Sequence, residues 1–188
     1  MRDSMDHKTL PTWAPLVARI VMVVAALGLV AAFFLPWASA DEEYRAAAAK
    51  APEFMYYEPT GLTVADAQDL SLLEYAQAYG SMDGAWVIYM VVMYATVAIS
   101  ALAFVLAVCN KPIGAAVFGV LALAASRLLV WDFTDRGVLP SSTHDWGIAP
   151  AVYVVATVLL VAAAIWLFMA KRRTKAANAV QEQGIDTN

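Results

Sequence analysis

The sequence predicts an all-α protein, a four-helix transmembrane bundle with an extracytoplasmic helical segment between spans one and two. Three observations predict it. Residues 20–40, 84–110 and 146–170 contain no Asp, Glu, Lys, Arg or His, and residues 112–131 contain one, Arg127. Hydrophobic residues make up 62% of the chain and charged residues 15%, where soluble domains have roughly 45–50% and roughly 25%. The charges that remain are sorted between alternate connections. About 20 apolar residues at about 1.5 Å rise match a hydrocarbon core of about 30 Å, so each stretch reads as a membrane-spanning helix.

The expected spans are about 16–37, 85–108, 113–131 and 148–170. Together with their connections they form a single membrane domain over 1–175. Span one leaves through Leu35-Pro36-Trp37, since Pro36 lacks a backbone donor and disfavours helix at the residue before it. A rival reading takes Ala38-Ser39-Ala40 as the end of a secretory signal peptide. Against cleavage, the apolar run 20–35 exceeds the usual signal core of about 7–15 residues, and the leader mixes Asp3 and Asp6 with Arg2 and Lys8. Either outcome leaves the other three spans in the same orientation.

Residues 41–83 form the expected outer segment, with nine acids against Arg45 and Lys50, a net of −7. Asp41-Glu42-Glu43 suits a helix N-terminus, the run 45–50 continues it, and Pro52 ends it. Pro59-Thr60-Gly61 reads as a turn. Thr63-x-x-Asp66 is a minor capping signature, and Ser71-x-x-Glu74 is a full capping box opening a helix that should close at Gly80. Leu72, Tyr75, Ala76 and Tyr79 fall on one stripe of that helix. With Met55, Tyr56 and Tyr57 upstream, the stripe suits either the membrane interface or an interaction surface built on Leu72, Tyr75 and Tyr79.

Spans two and three are joined by 109–112, too short for anything but an antiparallel hairpin. Gly28-x-x-x-Ala32, Ala115-x-x-x-Gly119 and Ala122-x-x-x-Ser126 are small-residue patterns that let helices approach closely in lipid. Arg127 is the one charge deep within a span, Arg19 standing at the cytoplasmic edge of span one; it lies about 21 Å from Ile113 and therefore in the outer third of span three. It has two readings. One is a snorkelling side chain or structural ion pair with Asp132, Asp135, Asp145 or Asp83; the other is an anionic ligand or lipid headgroup site. Asp145 is expected to cap span four. After that span come Lys171, Arg172, Arg173 and Lys175, suited to anionic lipid, and a polar tail, 176–188, expected to be disordered and cytoplasmic.

Eight of the twelve Lys and Arg residues lie in the two tails and the second connection, so both termini are expected in the cytoplasm and both acidic connections outside. Trp37, Trp86, Trp131 and Trp146 then mark the outer interface and Trp13 the inner one. Cys109 is alone, which excludes an intramolecular disulfide and a Cys-x-x-Cys redox pair, and is expected to be a buried, inert thiol. His7 and His144 fall on opposite sides of the membrane and cannot share a metal. Ser141, Ser142, His144 and Asp145 supply hydrolytic residue types, but serial proximity in a loop is not triad geometry. No nucleophile elbow, zinc helix or phosphate-cradling loop occurs.

The layout resembles a group of small bacterial four-span integral membrane proteins that are uncharacterised. The residues that carry the resemblance are Leu35-Pro36-Trp37, Ser71-Leu72-Leu73-Glu74-Tyr75, Trp146-Gly147 and the basic run from Lys171 to Lys175. It implies a multi-pass protein of the bacterial plasma membrane and brings no catalytic or binding residues with it. The Cys pairs of tetraspanins and claudins are absent. The expectation is a non-enzymatic membrane protein, with no cofactor, acting through protein or lipid contacts of its acidic outer segment. Its partners would be membrane lipid and a membrane protein or second copy, not nucleic acid. The alternative is a small transporter or transporter accessory subunit with an anionic-ligand site near Arg127.

Overall fold

Prolines open three of the long helices, where a missing N–H costs nothing because the first turn has no acceptor for it. The computed structural model describes residues 13–185, with side chains through 172. Pro15 lies in the first turn of α1 (Ala14–Ala31), Pro112 begins α5 (Pro112–Asp135), and Pro150 lies in the first turn of α6 (Ala149–Ile185). The fourth long helix, α4 (Val87–Val108), grows out of a single 3₁₀ turn at Gly84–Trp86. Among the described residues, four segments are long and apolar enough to cross a membrane: Ala14–Ala31, Gly84–Val108, Pro112–Asp135 and Ala149–Arg172. Arg2, His7 and Lys8 lie outside the described residues, as do the last three residues of the tail.

The four helices form an antiparallel ring in the order α1, α4, α5, α6, each packed on two neighbours. Their outward faces carry Ile20, Val24, Val91, Val117, Leu128 and Val155, all exposed. An apolar belt of this extent is what a hydrocarbon solvent leaves on a protein, and a water-soluble monomer does not keep one. The inward faces are lined by small residues. Ala115, Gly119, Ala122 and Ser126 make one buried stripe of α5. A Cβ on Gly119 would stand 2.3 Å from Leu160 Cδ2, and one on Gly28 3.5 Å from Ala156 Cβ. The small-residue patterns therefore serve packing within the bundle. Buried Ser and Thr hydroxyls of the bundle turn to backbone: Thr96 donates to Val92 O (2.9 Å), Ser100 to Thr96 O (2.9 Å), and Thr157 across to Gly119 O (3.4 Å), whereas the buried Tyr153 hydroxyl has no such partner.

Everything between α1 and α4, and between α5 and α6, gathers at one end of the ring as a cap. It is not purely helical. After α1 the chain turns at Ala32–Phe34 and runs as strand β1 (Pro36–Ala40), so span one is a shorter helix than expected and Ala38-Ser39-Ala40 is strand. Next come α2 (Glu42–Ala48), β2 (Met55–Tyr57), β3 (Leu62–Thr63), β4 (Asp69–Ser71) and α3 (Leu72–Gly80), with β5 (His144–Trp146) contributed from between α5 and α6. β1 is the centre of an antiparallel three-stranded sheet. Ala38 pairs with Leu70 of β4 on one side and Trp146 of β5 on the other. β2 and β3 form a small hairpin, with Tyr57 opposite Leu62.

Helix boundaries in the cap follow their local chemistry. Asp41 caps α2 by accepting from the Tyr44 N–H (2.7 Å). The capping box of α3 is complete: Glu74 N–H donates to Ser71 Oγ (3.4 Å), and Ser71 N–H donates back to Glu74 Oε2 (2.6 Å). α3 does close at Gly80, but without a left-handed conformation there, Ser81 serving as its C-cap. The missing side chain of Gly80 instead makes room for Met90 Sδ, which would stand 2.6 Å from a Cβ there. Backbone through Ile185 continues α6, consistent with the high helix propensity of its Ala and Lys residues.

Candidate functional site

Trp37 and Gly147 join the cap to the bundle. Trp37 is fully buried rather than placed at the lipid interface. Its indole N–H donates to Ala32 O (3.2 Å), and its ring meets Phe133 and Tyr153 edge-on at 6.3 and 6.0 Å. The turn after Ala31 folds it beneath the sheet, so the burial follows from the early end of α1. Gly147 N–H donates to Trp37 O (2.8 Å), and a Cβ on Gly147 would lie 2.2 Å from Pro36 O. Leu35-Pro36-Trp37 and Trp146-Gly147, far apart in sequence, are thus one contact. Trp86, Trp131 and Trp13 are exposed, as anchors should be.

The stripe expected to offer an interaction surface faces inward. Leu72 and Ala76 are fully buried, Tyr79 nearly so, and Tyr75 packs on Phe133 with ring centroids 5.0 Å apart. The physical reason is that α3 lies on α4, with Tyr75 and Tyr79 reaching Phe133 and Arg136 at the end of α5, and it turns its apolar face to them. Leu72, Tyr75 and Tyr79 are therefore part of the cap's own packing. Tyr75 and Tyr79 nevertheless border a half-open space.

That space is a cavity of about 410 Å³ between three parts of the cap. Glu74, Tyr75, Ala78 and Tyr79 of α3 form its floor, Tyr56, Tyr57 and Leu62 of the β2–β3 hairpin one wall, and the chain from Val138 to His144 the other. The second wall is aimed by a stop signal. At the end of α5, Gly137 takes φ +66°, Gly137 N–H donates to Thr134 O (3.1 Å) and Val138 N–H to Phe133 O (2.8 Å). This Schellman pattern turns Val138 and Leu139 inward.

His144 is buried in β5. Its Nε2 lies 2.7 Å from Ala67 O and must donate, so in the neutral ring Nδ1 accepts from the Thr143 hydroxyl (2.9 Å). Ser141 Oγ accepts from His144 N–H (3.0 Å), closing the loop tip. These partners leave no serine–histidine pair poised for nucleophilic attack. The Tyr75 hydroxyl titrates far above its ordinary value, first because it is desolvated and then because Tyr56, Tyr79 and Glu74 are near. Tyr44, whose ring lies 4.9 Å from that of His144, is raised by burial and then by Tyr56.

Arg127 and the acids proposed to pair with it are not brought together. Arg127 is exposed on α5, and its guanidinium donates to Pro150 O (2.9 Å) at the start of α6. Asp83, Asp135 and Asp145 are exposed, and Asp145 sits in β5 rather than at the cap of span four. Asp132 instead binds Arg136 one turn on, through Arg136 Nε (3.0 Å) and Nη2. Arg136 is the residue that sequence reasoning missed. Its guanidinium lies 4.1 Å from the Tyr89 centroid, 5.3 Å from Tyr79 and 5.9 Å from Trp86, and Nη1 donates to Tyr79 OH (2.9 Å). The Asp132-x-x-x-Arg136 spacing at a helix end was the available signal. Cys109, at the opposite end of the bundle, is exposed rather than buried, because α4 stops at Val108 and the hairpin carries it beyond the packed region. No family model, curated protein or solved structure matches the chain.

Proposed function

We propose that this is a non-enzymatic, multi-pass protein of the bacterial plasma membrane whose cap faces outward and binds a small ligand or a partner's side chain. Both termini are then cytoplasmic, and membrane lipid surrounds the bundle. The observation that carries the reading is the tyrosine-lined cavity, whose volume falls within the range of about 300–1,000 Å³ typical of small-molecule sites. Charge sorting supports the orientation, since the cap holds the acids and the hairpin at the other end holds Lys111. The pairing of Ala38-Ser39-Ala40 between β4 and β5 supports retention of span one, because cleavage after Ala40 would remove the central strand.

The transporter reading has less behind it. Arg127 turns to the outer surface of the ring and is bound to a carbonyl, and the buried hydroxyls of Thr96 and Ser100 are engaged by the backbone of their own helix.

Purification from native membranes in mild detergent, with mass spectrometry of co-purifying molecules, tests the proposal. Wild-type protein should carry a small molecule or a stoichiometric partner that is lost in Ala78→Trp, which fills the cavity from α3. Equal recovery with both proteins, or nothing with either, contradicts it.

A further inference from the structure

We infer that the cap cavity takes an organic cation, a protonated amine or guanidinium carried on an apolar or aromatic body. The inference rests on the binding reading above and names its ligand class. The side chains lining the cavity include one carboxylate, Glu74, and no Lys or Arg. The capping box engages Glu74 through Oε2 alone, with Ser71 N–H at 2.6 Å and Ser71 Oγ at 2.8 Å, so Oε1 remains for a donor from the cavity. Tyr56, Tyr57, Tyr75 and Tyr79 line it with aromatic rings, a residue type that attracts cations through its quadrupole, and Leu62 and Leu139 give an apolar body somewhere to lie.

The neighbouring charges do not oppose this. Arg136 donates to Tyr79 OH from outside the cavity, but its charge is matched by Asp132. In that contact the same Tyr79 ring already faces a guanidinium. His144 turns its two nitrogens to Ala67 O and the Thr143 hydroxyl, so neither is left for an anion. Segment 41–83, with its net of −7, surrounds the site with a field that concentrates cations and depletes anions.

The test measures binding of benzylamine, benzyl alcohol and benzoate to the purified full chain in detergent, by calorimetry and thermal shift. These probes are similar in size and differ in charge. Ala78→Trp reports partition into the micelle alone. Glu74→Gln removes the carboxylate charge but keeps an oxygen for the capping box, which accepts Gln at this position. The expected result is preference for benzylamine over benzyl alcohol by tenfold or more, no binding of benzoate, and a loss of that preference in Glu74→Gln. Equal binding of amine and alcohol, or an unchanged preference in Glu74→Gln, overturns the cation inference and leaves the binding cavity standing. No binding of any probe above the Ala78→Trp level overturns both.

Discussion

Trp37 touches the bundle and the cap at once, through Tyr153 and Phe133 on one side and the sheet on the other. Replacing it with Ala should cost about 3–5 kcal/mol, the range for a fully buried aromatic residue. Gly147→Ala should cost about 1–3 kcal/mol, since its Cβ would meet Pro36 backbone, which cannot swing aside as a side chain can. Thermal unfolding in detergent measures both. Trp37 also marks what single residues reveal from sequence. Its position after Leu35-Pro36 reads as an interfacial anchor, and nothing local states that the turn at Ala32–Phe34 will fold it inward. Arg136 was hidden for the same reason: besides Phe133 of its own helix, its aromatic neighbours come from α3, the turn before α4, and α4 itself.

Elements with a strong local code were legible, and those held by distant partners were not. The long helices announce themselves by length and apolarity, and α3 by Ser71 and Glu74. Ser71→Ala should lower stability by about 0.5–2 kcal/mol through loss of the cap, again read by thermal unfolding. The strands were missed. Pro-Trp-Ala-Ser-Ala has neither alternation nor β-branched residues, and β1 exists because β4 and β5 flank it from far along the chain. The cavity was missed with them, since one of its walls is the chain leading into β5. Packing of α3 onto the bundle has a consequence at alkaline pH. The folded state holds the Tyr75 proton above the ordinary value of 10.0 at which the unfolded chain loses it. Above about pH 10 the unfolded state therefore binds fewer protons and stability falls as pH rises. Unfolding titrations should show a steeper alkaline decline in wild type than in Tyr75→Phe; identical profiles would contradict the desolvated placement of Tyr75.

At the level of the whole chain, four apolar helices put the polar material at the two ends of a ring. One end is a short hairpin bearing Cys109 and Lys111, and the other is the cap with its cavity. The proposed role requires the cap to meet the exterior. Thiol labelling of intact cells with a membrane-impermeant reagent tests this most directly, because the native cysteine lies at the end opposite the cap. Wild-type protein should stay unlabelled until the cells are permeabilised, whereas Asp83→Cys in a Cys109→Ser background should label at once. Labelling of Cys109 in intact cells, with Asp83→Cys protected, would turn the protein over and remove the basis for an outward-facing binding cap.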